Sequence, residues 1–332
     1  MKSIIFLCAI FLTLVSVLSE VQTNYHDAIG IPTANRIKAL EEEIQANRNI
    51  TIENRIIGGE VAPLNEYPFF AGLIISLVGT PDPGVCGASL LSPNRLVTAA
   101  HCNFDGIRLA HEFTVVLGSN MLFYGGERIV SRKVIMHPNY RHQFSINDIA
   151  MIYLPRNAMI TNIVKPIRLP NYLESWKQFL GFQARSVGFG VTTDGHTLVN
   201  PDSLLKHITL QVVDNSQCQL KNDLNRPNYD ILCTSGYGGV GLCHGDSGGP
   251  LYTIDETSTD KSIFLTYNLM VSISDALGRP SHQGTTTAML AFCKFGIGQN
   301  WKSGNTSTTS QKLTSASGCY KTLKKTWDPA VS

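Results

Sequence analysis

The chain has 332 residues, 43% of them apolar, and a formal net charge of +2. That is enough apolar material to bury a substantial core in one large domain or two smaller ones. Acidic and basic residues are interspersed from end to end without a dominant Lys/Arg run, which argues against nucleic acid and other polyanions as partners.

Met1-Lys2 precede an apolar run from Ile4 to Leu18 that reaches the small residue Ser19, the pattern of a secretory signal peptide over residues 1–19. The run is shorter than the roughly 20 residues a membrane span needs, so no membrane attachment is expected. Secretion implies an oxidising compartment. Seven cysteines lie beyond the signal: Cys86, Cys102, Cys218, Cys233, Cys243, Cys293 and Cys319. They read as a disulfide framework with one thiol left over.

Residues 20–55 are polar and contain "NRIKALEEEIQANRNITIENR". Ile37, Leu40 and Ile44 fall at helical spacing, which predicts one amphipathic helix on a segment too short to be a domain. Asn49-Ile50-Thr51 and Asn305-Thr306-Ser307 are glycosylation acceptors suited to a secreted surface. From Ile56 to about Ser272 come short apolar or alternating runs, among them "FFAGLIISLV", "RLVTAAHC", "FTVVLGS", "DIAMIYL" and "HITLQVV". Gly, Pro, Asn and Asp punctuate them, which predicts antiparallel strands in a barrel or sandwich with little helix. After about Asp275 the chain becomes rich in Ser, Thr, Lys and Gly and reads as a poorly structured tail.

Three motifs carry chemistry. "LVTAAHC" offers His101 at the end of an apolar strand, "INDIAMIYL" offers Asp148 at the start of another, and "GDSGGP" offers Ser247. A serine hydroxyl is a weak nucleophile at neutral pH. It needs a histidine to take its proton, and the histidine needs a carboxylate to fix its tautomer and stabilise the imidazolium. Singly, these residues are a structural histidine, a strand-start aspartate and a turn serine; together, in the order His, Asp, Ser, they point to nucleophilic catalysis. The glycines around Ser247 leave room for the backbone N–H groups of Gly245 and Ser247 to converge on a substrate carbonyl as an oxyanion hole. No metal or organic cofactor is needed for such chemistry.

On these motifs the sequence resembles the trypsin/chymotrypsin-type serine peptidases over Ile56 to about Ser272. The stretches "NYHDAIGIPTANRIKALEEE", "VCGASLL" and "FTVVLGS" resemble most the insect digestive chymotrypsins of the lepidopteran midgut type. The resemblance implies an all-β fold of two six-stranded antiparallel barrels, the C-terminal one incomplete or irregular. It implies a peptidase domain over 56–275, an activation propeptide over 20–55 and an atypical tail over 276–332.

The resemblance also implies activation by a trypsin-like protease at Arg55–Ile56, after which the Ile56 ammonium pairs with Asp246. It implies a Cys86–Cys102 bridge holding the His101 loop and a Cys218–Cys233 pair. Cys243 is left without its usual partner, because Arg279 stands where that cysteine is expected; Cys293 or Cys319 can substitute. Gly241 falls at the base of the primary pocket and brings no charge, which implies a chymotrypsin-like preference for apolar or aromatic side chains. His244 beside the oxyanion hole reads as a bystander.

At the pocket wall Ser272 matches the family, whereas Ile273-Ser274 replaces an aromatic residue and glycine, and the side chain of Ser274 narrows the entrance. A divergent working pocket, a homologue that folds and binds without cutting, and a frame or splice change in the tail all account for the departure. The expected function is thus a secreted serine endopeptidase, in the gut lumen if the digestive resemblance holds. It would act on protein or peptide substrates and meet protein protease inhibitors. The alternative is a catalytically impaired homologue acting as a binding or regulatory protein.

Overall fold

The structure, a computed structural model, describes residues 24–46, 60–170, 179–190, 204–216, 231–236, 241–242, 245–254, 262–266, 268–270 and 284–289. The chain enters through a π-helical turn, His26–Gly30, that leads into α1, Ile31–Ala46. Pro32 lacks the N–H an α-helix would donate to the carbonyl of Ala28, and the wider turn ahead of it closes with the Ile31 N–H donating to the His26 carbonyl. The helix begins earlier than its apolar spacing predicts. The residues it buries are Thr33, Ala34, Ile37 and Glu41, while Leu40 and Ile44 are half-buried.

Seven strands follow in the first sheet: β2 (Phe70–Leu77), β3 (Gly84–Ser92), β4 (Arg95–Thr98), β5 (Ala110–Leu117), β6 (Glu127–Ser131), β7 (Lys133–Met136) and β8 (Ala150–Tyr153). They pair antiparallel in the order β6-β5-β2-β3-β4-β8-β7. The two edge strands β6 and β7 are separated in the chain by Arg132 alone. Opposite edges of one sheet can be joined by a single residue only if the sheet curls back on itself, so β6 and β7 are one bent strand closing a six-stranded barrel.

The second sheet repeats the device. Its strands are β9 (Gln183–Gly188), β10 (Lys206–Val213), β11 (Ile231–Gly236), β12 (Leu251–Ile254), β13 (Ser262–Thr266), β14 (Asn268–Met270) and β15 (Gly284–Met289), in the order β13-β12-β9-β10-β11-β15-β14. Only Tyr267 separates the edges β13 and β14. The short β1 (Glu60–Val61) adds to β10. The fold is therefore the expected all-β pair of barrels. The second is the less regular, with a register shift between Leu251 and Tyr252 and a three-residue β14. Its sixth strand, β15, comes from beyond residue 275 and pairs with both β11 and β14.

Alternation along the strands sorts the core into layers. Ala71, Leu73 and Ile75 of β2, Cys86, Ala88 and Leu90 of β3, and Phe113, Val115 and Leu117 of β5 fill the first barrel. Ala184, Leu210, Val212, Leu232 and Leu251 fill the second. Phe70, Val85, Val116, Val187, Phe189 and Tyr252 face a shared layer between the barrels, and Ala34 and Ile37 of α1 join it. β3 is consequently buried on both faces along nearly its whole length, which is why its sequence is a run of apolar and small residues rather than an alternation.

Candidate active site

β4 runs as "RLVT" with its last three residues buried and delivers the chain into a short helical turn, Ala100–Cys102, that carries His101. Cys102 is tied by a disulfide to Cys86 of β3, the bridge expected for this loop. Asp148 precedes β8, which pairs with β4 through Thr98 and Ala150. The two strand ends lie side by side. The Asp148 carboxylate accepts from the His101 backbone N–H at 2.8 Å and from His101 Nδ1 at 2.7 Å. The imidazole is 13% exposed and the carboxylate 2%, so the pair is shielded and held by two bonds to one loop.

Ser247 arrives from the second barrel, and glycines fit it to the first. The Ser247 carbonyl accepts from the Gly87 N–H of β3 at 2.7 Å. A Cβ on Gly87 would come within 2.8 Å of the Gly249 Cα, closer than such atoms approach. Gly245 and Gly248 take φ values of +103° and +78°, a region glycine enters without strain. The neighbouring Asp246 carboxylate accepts from the Gly190 N–H at 2.8 Å and lies where Cβ atoms on Gly188 or Gly190 would clash with its oxygens. Gly87, Gly188 and Gly190 therefore belong to the site although no motif singled them out. The available signal was an isolated glycine inside each of two strand-like runs, which marks close backbone approach.

The site is occupied from within the chain. Tyr25 Oη donates to the Val85 carbonyl at 2.8 Å and lies beside the Ser247 side chain. Its ring meets the His101 ring edge-on, with centroids 4.5 Å apart. Burial of the hydroxyl pushes the Tyr25 pKa up, with the neighbouring Ser247 opposing, so the phenol stays neutral. His101 Nε2 is buried and has no hydrogen-bond partner among the described residues. His26 is fully buried; its backbone N–H donates to Asp105 at 2.8 Å and its Nε2 to the Cys102 carbonyl at 3.2 Å. Burial lowers the His26 pKa to about 4, with Asp105 opposing.

The cluster Cys86, His101 and Cys102 has metal-ligand composition. Both sulfurs are committed to the disulfide and His101 Nδ1 to Asp148, so its donors do not suit a cation. Cys233 is disulfide-bonded as well, its partner lying outside the described residues. Gly241 is half-buried, next to Leu242 in the core of the second barrel. Arg55, Ile56, Cys218, Cys243, Ser272, Ser274, Cys293, Cys319, Asn49, Asn305 and the segment 1–19 expected to be a signal peptide also lie outside the described residues. Among the described residues no helix is long and apolar enough to cross a membrane.

Comparison with known proteins finds serine proteases among the chain's relatives. The trypsin family description matches residues 56–264. A clotting factor G beta subunit of Tachypleus tridentatus is 28% identical over 248 residues, covering 72% of this chain and 77% of that protein. A collagenase of Hypoderma lineatum is 31% identical over 205 residues, covering 61% and 74%. The alkaline B trypsin of Manduca sexta is 30% identical over 205 residues, covering 60% and 76%. A solved HL collagenase structure superposes with a TM-score of 0.57 at 26% identity, covering 70% of this chain and 93% of that one.

Proposed function

The chain belongs to the trypsin family, which spans residues 56–264 of it, and from that premise we propose that it is a secreted serine endopeptidase made as a precursor and cut at Arg55–Ile56. Ser247 Oγ attacks the scissile carbonyl. His101 takes the serine proton at Nε2 and returns it to the leaving amine, while Asp148 holds the imidazole and stabilises its cation. The Gly245 and Ser247 N–H groups receive the developing oxyanion. The observation that carries this reading is the double hydrogen bond from His101 to Asp148, beside a Ser247 loop fastened to β3 through Gly87.

Cutting after Arg55 creates an ammonium at Ile56. In this reading it pairs with Asp246, whose carboxylate already lies between Gly188 and Gly190; a charge taken out of water needs such a partner. Gly241 puts no charge at the pocket base, so apolar or aromatic side chains are favoured over Arg and Lys, because burying an unpaired cation is expensive. Two of the relatives come from insects, which supports the insect side of the resemblance; a gut-lumen setting is part of this reading.

A second reading, a homologue that binds without cutting, is supported by Arg279 at the place of the pocket cysteine. The test is to cut the purified precursor with a trypsin-like protease, confirm Ile56 by N-terminal sequencing, and assay peptide amides bearing Phe, Leu or Arg. Turnover on Phe or Leu is expected. Rapid turnover on Arg alone overturns the pocket assignment, and no turnover on any of them favours the second reading.

A further inference from the structure

We propose that residues 24–46 are a built-in ligand of the catalytic cleft, so that a chain cut after Arg55 stays closed until this segment leaves. The proposal rests on the peptidase reading for its consequence, although the docking itself is a matter of geometry.

Tyr25 is the first element. A phenol has one proton, and Tyr25 gives it to the Val85 carbonyl, which can only accept. With its proton committed, the phenol oxygen faces the Ser247 side chain only as an acceptor, and His101 Nε2 has no hydrogen-bond partner among the described residues. The ring standing edge-on against His101 takes the space a reacting carbonyl would need.

The rest of the segment is anchored on both sides of the cleft. The His26 ring lies over Gly84, where a Cβ would come within 2.6 Å of His26 Nδ1. Asn24 and Asp27 brace each other through two bonds of 2.7 Å, and Asp27 accepts from Arg108 at 2.9 Å. Thr33 covers the oxyanion glycine, with its Cγ2 3.0 Å from where a Cβ on Gly245 would stand. Ala34 and Ile37 complete the inter-barrel core. At the far end the fully buried Glu41 accepts from the Leu122 and Phe123 N–H groups at 2.5 and 2.7 Å.

The segment also resists being cut. Its backbone donors and acceptors are spent within the helical turns, so it presents no extended strand to Ser247. Residues 20–55 contain no cysteine, so after cleavage at Arg55 nothing covalent retains the segment. The cut turns an intramolecular ligand, present at an effective concentration in the millimolar range, into a free peptide that dilution or proteolysis removes. Activation therefore has two stages: a bond is broken, then a ligand dissociates.

The experiment uses full-length chain cut at Arg55, freed of the released segment by gel filtration, and a fluorescein-labelled peptide of residues 24–46. Fluorescence anisotropy is expected to show saturable binding. A Tyr25→Ala peptide should bind at least about 30-fold more weakly, as for a buried aromatic anchor. In the same protein the unlabelled peptide should raise KM for a Phe peptide amide and leave kcat unchanged. Absence of saturable binding at millimolar peptide, or equal binding of the Tyr25→Ala peptide, overturns the proposal. Failure of the peptidase reading looks different: the peptide binds, but no preparation turns over substrate.

Discussion

His101 and Asp148 both come from the first barrel, on adjacent ends of paired strands, and their two hydrogen bonds of 2.8 and 2.7 Å are complete in the structure. Ser247 comes from the second barrel, reaches the first through a backbone bond to Gly87, and lies beside the Tyr25 hydroxyl. The first half of the machinery is fixed by neighbouring strands. The second depends on long-range docking and on what occupies the cleft. Substitutions in the first half should thus damage chemistry alone, whereas changes in the second should act through position, occupancy or pH.

The largest expected effect tests the fixed half. Asp148→Asn preserves shape but removes the acceptor that fixes the imidazole tautomer, and kcat on a peptide amide should fall by about 10⁴. A loss under tenfold would mean that Asp148 does not orient His101.

Occupancy should respond to pH next. His26 docks neutral, with its pKa lowered from 6.5 to about 4 by burial, and the groups facing it are Asp105, Asp27, His101 and the Cys102 carbonyl. Because the docked pKa is the lower one, binding is fully favourable above pH 6.5 and weakens as pH falls toward 4. The limit is about 300-fold, a tenfold loss for each pH unit between the two values. Burial raises the Glu41 pKa, so its protonation acts in the opposite sense as pH falls. A Glu41→Gln peptide isolates the histidine contribution, and an affinity independent of pH from 7 to about 4.5 in that peptide would contradict the assignment.

Position comes third. Gly87→Ala forces a Cβ against the Gly249 backbone, which cannot swing aside, and should cost about 1–3 kcal/mol in urea unfolding together with a loss of kcat. Stability and kcat both unchanged would show that the loop docks without this close approach. The smallest effect is at the rim. Arg108→Ala removes the partner of the partly exposed Asp27, and peptide affinity should drop no more than about fivefold, less at high salt.

Much of the molecule was legible in the sequence because local pattern and local structure coincide. The apolar runs became strands, "LVTAAHC" placed His101 and Cys102 on one turn, and Asp148 stands where β8 begins. What was not legible depends on distant surfaces. Glu41 sits in the acidic run Glu41–Glu43 and reads as solvated, yet it is buried because two loop N–H groups needed an acceptor. Leu40 and Ile44 suggested a different helix face, but the cleft selects Thr33, Ala34, Ile37 and Glu41. Tyr25 and His26 lie ahead of the periodic stretch, and nothing local to them indicates that they meet His101 and Ser247. Gly188 and Gly190 stand at the end of a strand-like run, and only the Asp246 carboxylate lying between them shows why neither carries a side chain.

The most direct test of the catalytic assignment is intact and peptide mass spectrometry after fluorophosphonate treatment of the cut chain, with Ile56 confirmed as the N-terminus and the released segment removed. One adduct per chain on Ser247 is expected, forming more slowly when excess peptide of residues 24–46 is added back. No adduct on Ser247 in that preparation would contradict the proposal that this serine is an activated nucleophile.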